Sequence, residues 1–144
     1  MLIYLDNCCY NRPFDDQSQP KIQLETQAKL QIQLEIKYGK HELVWSYVLD
    51  YENARNPFEE KRKTIAPWKK LAVLDVVETE DIIAFAEGLA AKGIKTFDAL
   101  HIACAITAGC DYFLTTDRKL LNTPIEGIKI INPVQFVIEQ EDAT

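Results

Sequence analysis

Short apolar runs alternate with longer segments of helical character along this chain. The first run, "LIYL" (residues 2–5), is apolar at every position and ends on Asp6, the pattern of a short strand buried on both faces. "ELVW" (42–45), "VLDVV" (73–77), "DYFLTT" (111–116) and "IKII" (128–131) repeat that signal. Between them, "SYVLDYENARNP" predicts a helix that Ser46 caps and that stops before Pro57. "FEEKRKTIAPWKKLA" predicts a helix broken at Pro67. "EDIIAFAEGLAAKG" has the acidic start and terminal glycine of an ordinary helix. "TFDALHIACAITAG" reads as a helix with Thr96 as cap and Gly109 as stop, and a last short helix starts at Pro133.

One segment is ambiguous. In "SQPKIQLETQAKLQIQLEIKYG" (18–39) the residues Ile22, Leu24, Ala28, Leu30, Ile32, Leu34, Ile36 and Tyr38 nearly alternate with polar ones, as in a strand. Length and composition favour a helix: the segment is far longer than a strand and rich in Gln, Glu, Lys and Leu. Pro20 lies in its first turn after a candidate cap at Ser18, and Gly39 ends it. Strands and helices then alternate throughout. The expected fold class is α/β, a three-layer α/β/α sandwich around a mostly parallel sheet, formed by one domain over residues 1–144.

Composition narrows the class little further. The chain has 144 residues, 47% of them hydrophobic and 26% charged, which suits one folded domain with a real core. No apolar run reaches the length of a membrane span, and the start lacks the basic region and long apolar core of a secretory signal. The cytoplasm is the expected location. The four cysteines form no C-x-x-C and have no histidine at zinc-finger spacing, so reduced, unreactive thiols are expected. A net charge of −6 argues against wrapping nucleic acid by bulk charge. The local stretch "KRKTIAPWKK" reads either as a solvated helix face or as an RNA-contact patch, the former being the more ordinary.

Candidate chemistry sits where strands end. In open parallel sheets the working crevice lies at the carboxyl ends of the strands. Asp6 follows the first strand, Asp117 follows "DYFLTT", and Asp98 lies in the first turn of a helix. Glu52, on the helix after "ELVW", joins them if that helix crosses the same edge. Two like charges about 4 Å apart repel by about 4 kcal/mol at the effective dielectric of a protein surface. Such a gathering therefore needs a counter-charge, and hard carboxylate oxygens suit Mg²⁺ or Mn²⁺. An ion of that kind activates water and stabilises charge on a phosphate, so phosphodiester hydrolysis is the natural chemistry.

Each acid also has a plain reading. Asp98 or Asp117 alone is what a helix start attracts through its dipole, and only their convergence points further. Asp15, Asp16, Asp75, Glu78, Glu80 and Asp81 have ordinary reasons to be acidic, although spacing does not separate Glu78 from the site group. His101, three residues after Asp98, is an acid–base group, a supporting partner, or a hydrogen-bonded core histidine, the last being favoured. Thr115 and Thr116 are strand residues or hydroxyls that orient a metal-bound water.

Together "LIYLDNCCYNRPF", "SYVLDYE" and "TFDALHIACAITAGCDYFLTTDRKLL" resemble the PIN-domain family, particularly its VapC-like bacterial members. The pairing of "DALHIA" with "FLTTD" is the most specific part. The resemblance implies a Mg²⁺- or Mn²⁺-dependent ribonuclease whose catalytic acids are Asp6, Glu52, Asp98 and Asp117. It puts the metal on Asp6, Asp98 and Asp117, with a supporting hydroxyl from Thr115 or Thr116. It also implies a homodimer, an RNA substrate and, in toxin–antitoxin operons, a small antitoxin that occludes the site. The stretch "NCCYNRPFDDQSQ" departs from the more apolar helix that many such toxins carry. On this reading Asp6 serves a metal, Cys8 and Cys9 pack beneath it as small apolar residues, and Asp15 and Asp16 cap or solvate the turn after Pro13.

Two other classes compete. A PIN-like scaffold that binds RNA or protein without cutting has no reason to keep four repelling acids. Acidic phosphotransfer at Asp6 normally needs a second aspartate two residues on, where this chain has Cys8.

Overall fold

The computed structural model describes residues 1–143; the last residue of the predicted domain, Thr144, lies outside the described residues. Five short strands form one sheet in the order β3-β2-β1-β4-β5. They are β1 (Leu2–Leu5), β2 (Glu42–Ser46), β3 (Leu74–Val76), β4 (Tyr112–Leu114) and β5 (Lys129–Ile131), and every neighbouring pair is parallel. The helices are α1 (Asn7–Asn11), α2 (Pro20–Lys37), α3 (Tyr47–Ala54), α4 (Glu59–Ile65), α5 (Glu80–Ala91), α6 (Thr96–Thr107), α7 (Arg118–Leu121) and α8 (Pro133–Asp142). The chain runs outward from β1 to β3 and then back across to β4, with helices on both faces of the sheet. α2 packs on α8 and α5 on α6, completing a three-layer α/β/α sandwich.

β1 is the middle strand, and its sequence explains why. Ile3, Tyr4 and Leu5 are fully buried, because a strand covered on both faces cannot keep a polar side. The Tyr4 ring stacks on Phe113 of β4, with centroids 5.4 Å apart. Its hydroxyl bonds Ser46 Oγ at 2.6 Å and His101 Nδ1 at 2.5 Å, so this buried polar atom is satisfied.

Most predicted elements form, with differences at their ends. Ser18 does not cap α2: Gln19 holds the cap position, while Ser18 N–H and O–H both donate to Asp16 Oδ1 in the preceding turn. Thr96 is the first residue of α6 and not its cap; Lys95 precedes it and has no side-chain cap bond. The strand predicted over 111–116 ends at Leu114, although Thr115 N–H still donates to Ile131 O at 3.0 Å. Ser46 does cap α3, accepting from Leu49 N–H. The ambiguous segment is helical, and its near-alternation has a physical source. α2 buries Ala28, Ile32 and Ile36 but also Glu25, Lys29 and Gln33, while Leu24, Leu30 and Leu34 face outward. Glu25 is held there by Arg12 at 2.7 Å and by Asn132 Nδ2, and burial lowers the Lys29 ammonium to about 8.

The basic segment 61–70 is largely spent within the molecule. Lys63 pairs with Glu59 at 2.9 Å, and Lys69 with Asp50 at 3.1 Å and Asp75 at 3.6 Å. Arg62 donates to Asn56 O, and Lys61 lies over the Phe58 ring.

Candidate active site

The sheet order creates the site. From β1 the chain moves to one side, toward β2, and from β4 to the other side, toward β5. β1 and β4 are therefore the adjacent strands at which the connections diverge, and a crevice opens beyond their carboxyl ends. Asp6 follows β1 and Thr115, Thr116 and Asp117 follow β4, with Asp6 N–H donating to Leu114 O at 2.9 Å to bind the two ends together.

Asp6 is buried and fully engaged. Its Oδ1 accepts from Asn7 N–H at 2.8 Å, which caps α1, and its Oδ2 accepts from the Thr115 hydroxyl at 2.8 Å. Thr115 Oγ1 in turn accepts from Asp117 N–H at 3.2 Å, tying the two acids through one side chain. Thr116 contributes its backbone, donating N–H to Cys8 Sγ at 3.4 Å. Asp117 Oδ1 caps α7 by accepting from Lys119 N–H at 2.9 Å and Leu120 N–H at 3.3 Å.

Asp98 enters from α6 on the other side. No donor among the described residues reaches its carboxylate. Its pKa rises from 3.8 to about 6, through burial first and then through the negative charges of Asp6, Asp117 and Glu52; only His101 acts the other way.

Glu52 is brought over the edge by α3. Its Oε1 meets His101 Nε2 in a short contact, and its Oε2 accepts from Asn7 Nδ2 at 3.4 Å. His101 is the hydrogen-bonded core histidine that the sequence favours, and it also supports the site. The ring is buried, Tyr4 holds Nδ1, and Nε2 faces Glu52 with Asp6 Oδ1 at 3.9 Å. Burial lowers its pKa, but the Glu52 bond and the nearby Asp6, Glu52 and Asp98 charges outweigh that and raise it.

All four predicted acids thus line one trough of about 360 Å³, together with Asn7, Cys8, Asn11 and Asp15. Two readings of the opening stretch change. Cys9 is buried as expected, but Cys8 is half-buried and lines the trough, donating its thiol to Asp6 Oδ2 at 3.4 Å. Asp15 also lines it, paired with Arg12 at 3.0 Å, while Asp16 only orders its own turn. Asn7 and Asn11 were missed by the sequence reading. An amide one residue after a strand-end acid was the available signal for Asn7. Glu78 lies elsewhere, beside Tyr47 and α5.

The donors fit a hard cation. Among the described residues no three His, Cys, Asp or Glu side chains are drawn together closely enough to enclose an ion by themselves. Mg²⁺ and Mn²⁺ do not require that, since such ions keep several waters and take one or two carboxylates. The unrelieved repulsion on Asp98 is what such a charge would remove.

The doubly covered parallel sheet with an acid-lined crevice at its switch point defines the class of fold. The PIN domain family model matches residues 3–126, and the chain belongs to that family, whose members are in general nucleases that use divalent metal ions. A crystal structure of VapBC2 from Rickettsia felis bound to a DNA fragment from its promoter contains a chain of the same fold. The TM-score is 0.56 and the identity 14%, over 92% of this chain and 98% of that one. No curated protein sequence matches significantly. No helix among the described residues is long and apolar enough to cross a membrane.

Proposed function

We propose that this chain is a Mg²⁺- or Mn²⁺-dependent endoribonuclease. The observation that carries the reading is the convergence of Asp6, Glu52, Asp98 and Asp117, from four separate segments, on one trough at the switch point of the sheet. Asp6 and Asp98 would hold the ion, with Asp117 completing the site directly or through water. Bound there, the ion supplies an acidified water and charge stabilisation on the phosphate. Glu52, oriented by His101 and Asn7, stands where a base can take a proton from the attacking water. Asp6 is positioned by Thr115, whose hydroxyl also fixes the backbone of Asp117.

The likeness to a VapBC2 complex supports a small antitoxin partner for this chain, and the proposal includes a cytoplasmic homodimer on the family resemblance alone. The test needs no knowledge of the RNA target. Calorimetric titration of Mn²⁺ into the wild-type protein and into Asp98→Asn should give saturable binding that the substitution weakens. RNA cleavage in Mn²⁺ should be lost in EDTA and in the variant. Equal Mn²⁺ binding and equal cleavage by both proteins would overturn the assignment. Metal-independent RNA binding without cleavage would point to a non-catalytic PIN-like module.

A further inference from the structure

Beside the acidic trough lies a second cavity, of about 190 Å³, that shares Asp98 and Asp117 with it and is otherwise unlike it. Lys92, Lys95 and Lys119 ring this cavity, with buried Ile94 and Leu120 lining it beneath them. Among the described residues none of the three ammonium groups has an ion-pair partner. Within the basic segment 61–70, by contrast, Lys63 and Lys69 are each held by a carboxylate.

The backbone sets these lysines in place. Lys92 is the C-cap of α5 and Lys95 the N-cap of α6, and the turn between them depends on Gly93 at φ +100° and on buried Ile94 as anchor. Lys119 donates its backbone N–H to Asp117 Oδ1, so one acid of the trough fixes the start of the segment that carries the third cation. Three lysines with nine ammonium donors between them line this cavity and outnumber its two carboxylates, a donor set that suits a tetrahedral oxyanion.

We propose that the cavity lined by Lys92, Lys95 and Lys119 holds the phosphodiester adjoining the one placed at the acids, and so sets the direction in which single-stranded RNA crosses the site. This rests on the nuclease reading for the identity of the ligand. The cavity and the trough meet only at Asp98 and Asp117, so a strand gripped by the lysines leads its next phosphate into the acids from one side. A net charge of −6 and a specific hold on RNA are then compatible, because the attraction is local.

The experiment separates the two readings. Binding of a short fluorescein-labelled single-stranded RNA is followed by anisotropy across a series of salt concentrations in EDTA, where metal-dependent cleavage is suspended. The proteins are wild type, the triple variant Lys92→Gln, Lys95→Gln, Lys119→Gln, and a charge-matched control, Lys21→Gln, Lys37→Gln, Lys70→Gln. The first triple variant should bind about tenfold more weakly at low salt, and its slope of log K against log salt should be shallower by about 0.7 for the phosphate released. The control should match wild type. In Mn²⁺ the same variant should show a raised KM with kcat largely kept, and less uniform cut positions. Unchanged affinity and slope in the variant would overturn the cavity assignment even if wild type cleaves RNA. Lost affinity and slope in a wild type that never cleaves would uphold the cavity and overturn the nuclease reading. All substituted lysines are exposed, and thermal melts confirm that each variant folds.

Discussion

Asp6 and Asp98 face the same trough but are held in opposite ways. Asp6 belongs to the corner where β1 and β4 end, and both of its oxygens accept hydrogen bonds from that corner. Asp98 stands on α6 with burial around it, three negative neighbours and, among the described residues, no donor. The first acid is therefore part of what holds the two strand ends together. The second is a charge that the fold tolerates only at a disadvantage. A group that destabilises its own fold is expected where function, not stability, fixes the residue.

The largest effect that sharpens this contrast is on cleavage. Asp98→Asn and Asp6→Asn should each lower RNA cleavage by about a hundredfold or more, read as initial rates in Mn²⁺. Activity alone would not distinguish the two corners; stability should. Asp6→Ala leaves the Thr115 hydroxyl and Asn7 N–H without an acceptor in a buried setting and should cost about 1–3 kcal/mol in urea unfolding. Asp98→Asn should cost nothing and, at pH 7 without metal, should raise the midpoint. An Asp98→Asn protein less stable than wild type at that pH would break the comparison.

Metal should reverse that order. Mn²⁺ at about a hundred times its dissociation constant stabilises the native state by about 2.7 kcal/mol. Wild type should gain this in thermal melts and Asp98→Asn much less of it.

pH gives a smaller effect with a definite sign. The Asp98 carboxyl holds its proton more tightly in the folded chain than in the unfolded one, about 6 against 3.8. Its contribution to stability is complete below about pH 4 and is lost as pH rises through about 6. His101, also raised, acts in the same sense above its ordinary 6.5, whereas burial lowers His41 and makes it act oppositely. Subtracting the Asp98→Asn profile from that of metal-free wild type isolates the first contribution. The difference should vanish near pH 4 and favour the variant increasingly up to about pH 7. A flat difference would place the Asp98 charge in solvent.

The smallest effect expected is that of Tyr4→Phe. It removes the hydroxyl between Ser46 and His101 and should cost about 1 kcal/mol, with a few-fold loss of kcat as His101 loosens its hold on Glu52. An unchanged kcat would show that Glu52 needs no such support.

These contrasts were only partly legible in the sequence. Strand-end position marked Asp6 and Asp117, and first-turn position marked Asp98, because chain order alone decides which residue follows a strand. The five strands and the helices α3, α4, α5, α6 and α8 were equally readable, since each carries its own period, whereas α2 was ambiguous and the short α1 and α7 were not read. Glu52 was the least secure because its place depends on how α3 lies across the sheet, which is a matter of packing. Cys8 was misread for a related reason: a thiol beside a buried cysteine looks apolar until Asp6 and Thr115 are found next to it. The polar inner face of α2 hid behind apolar residues that turn outward. The lysine cavity was invisible in sequence, where Lys92, Lys95 and Lys119 look like ordinary surface residues and "KRKTIAPWKK" looks far more basic.

The bond from the Thr115 hydroxyl to Asp6 joins residues 109 positions apart. Growing on a ribosome, the chain makes Asp6 109 residues before Thr115. Until β4 has emerged, β1 lacks one neighbour and the strand-end corner does not exist. On the nuclease reading, the nascent chain would stay inert until β4 has joined β1 and closed that corner.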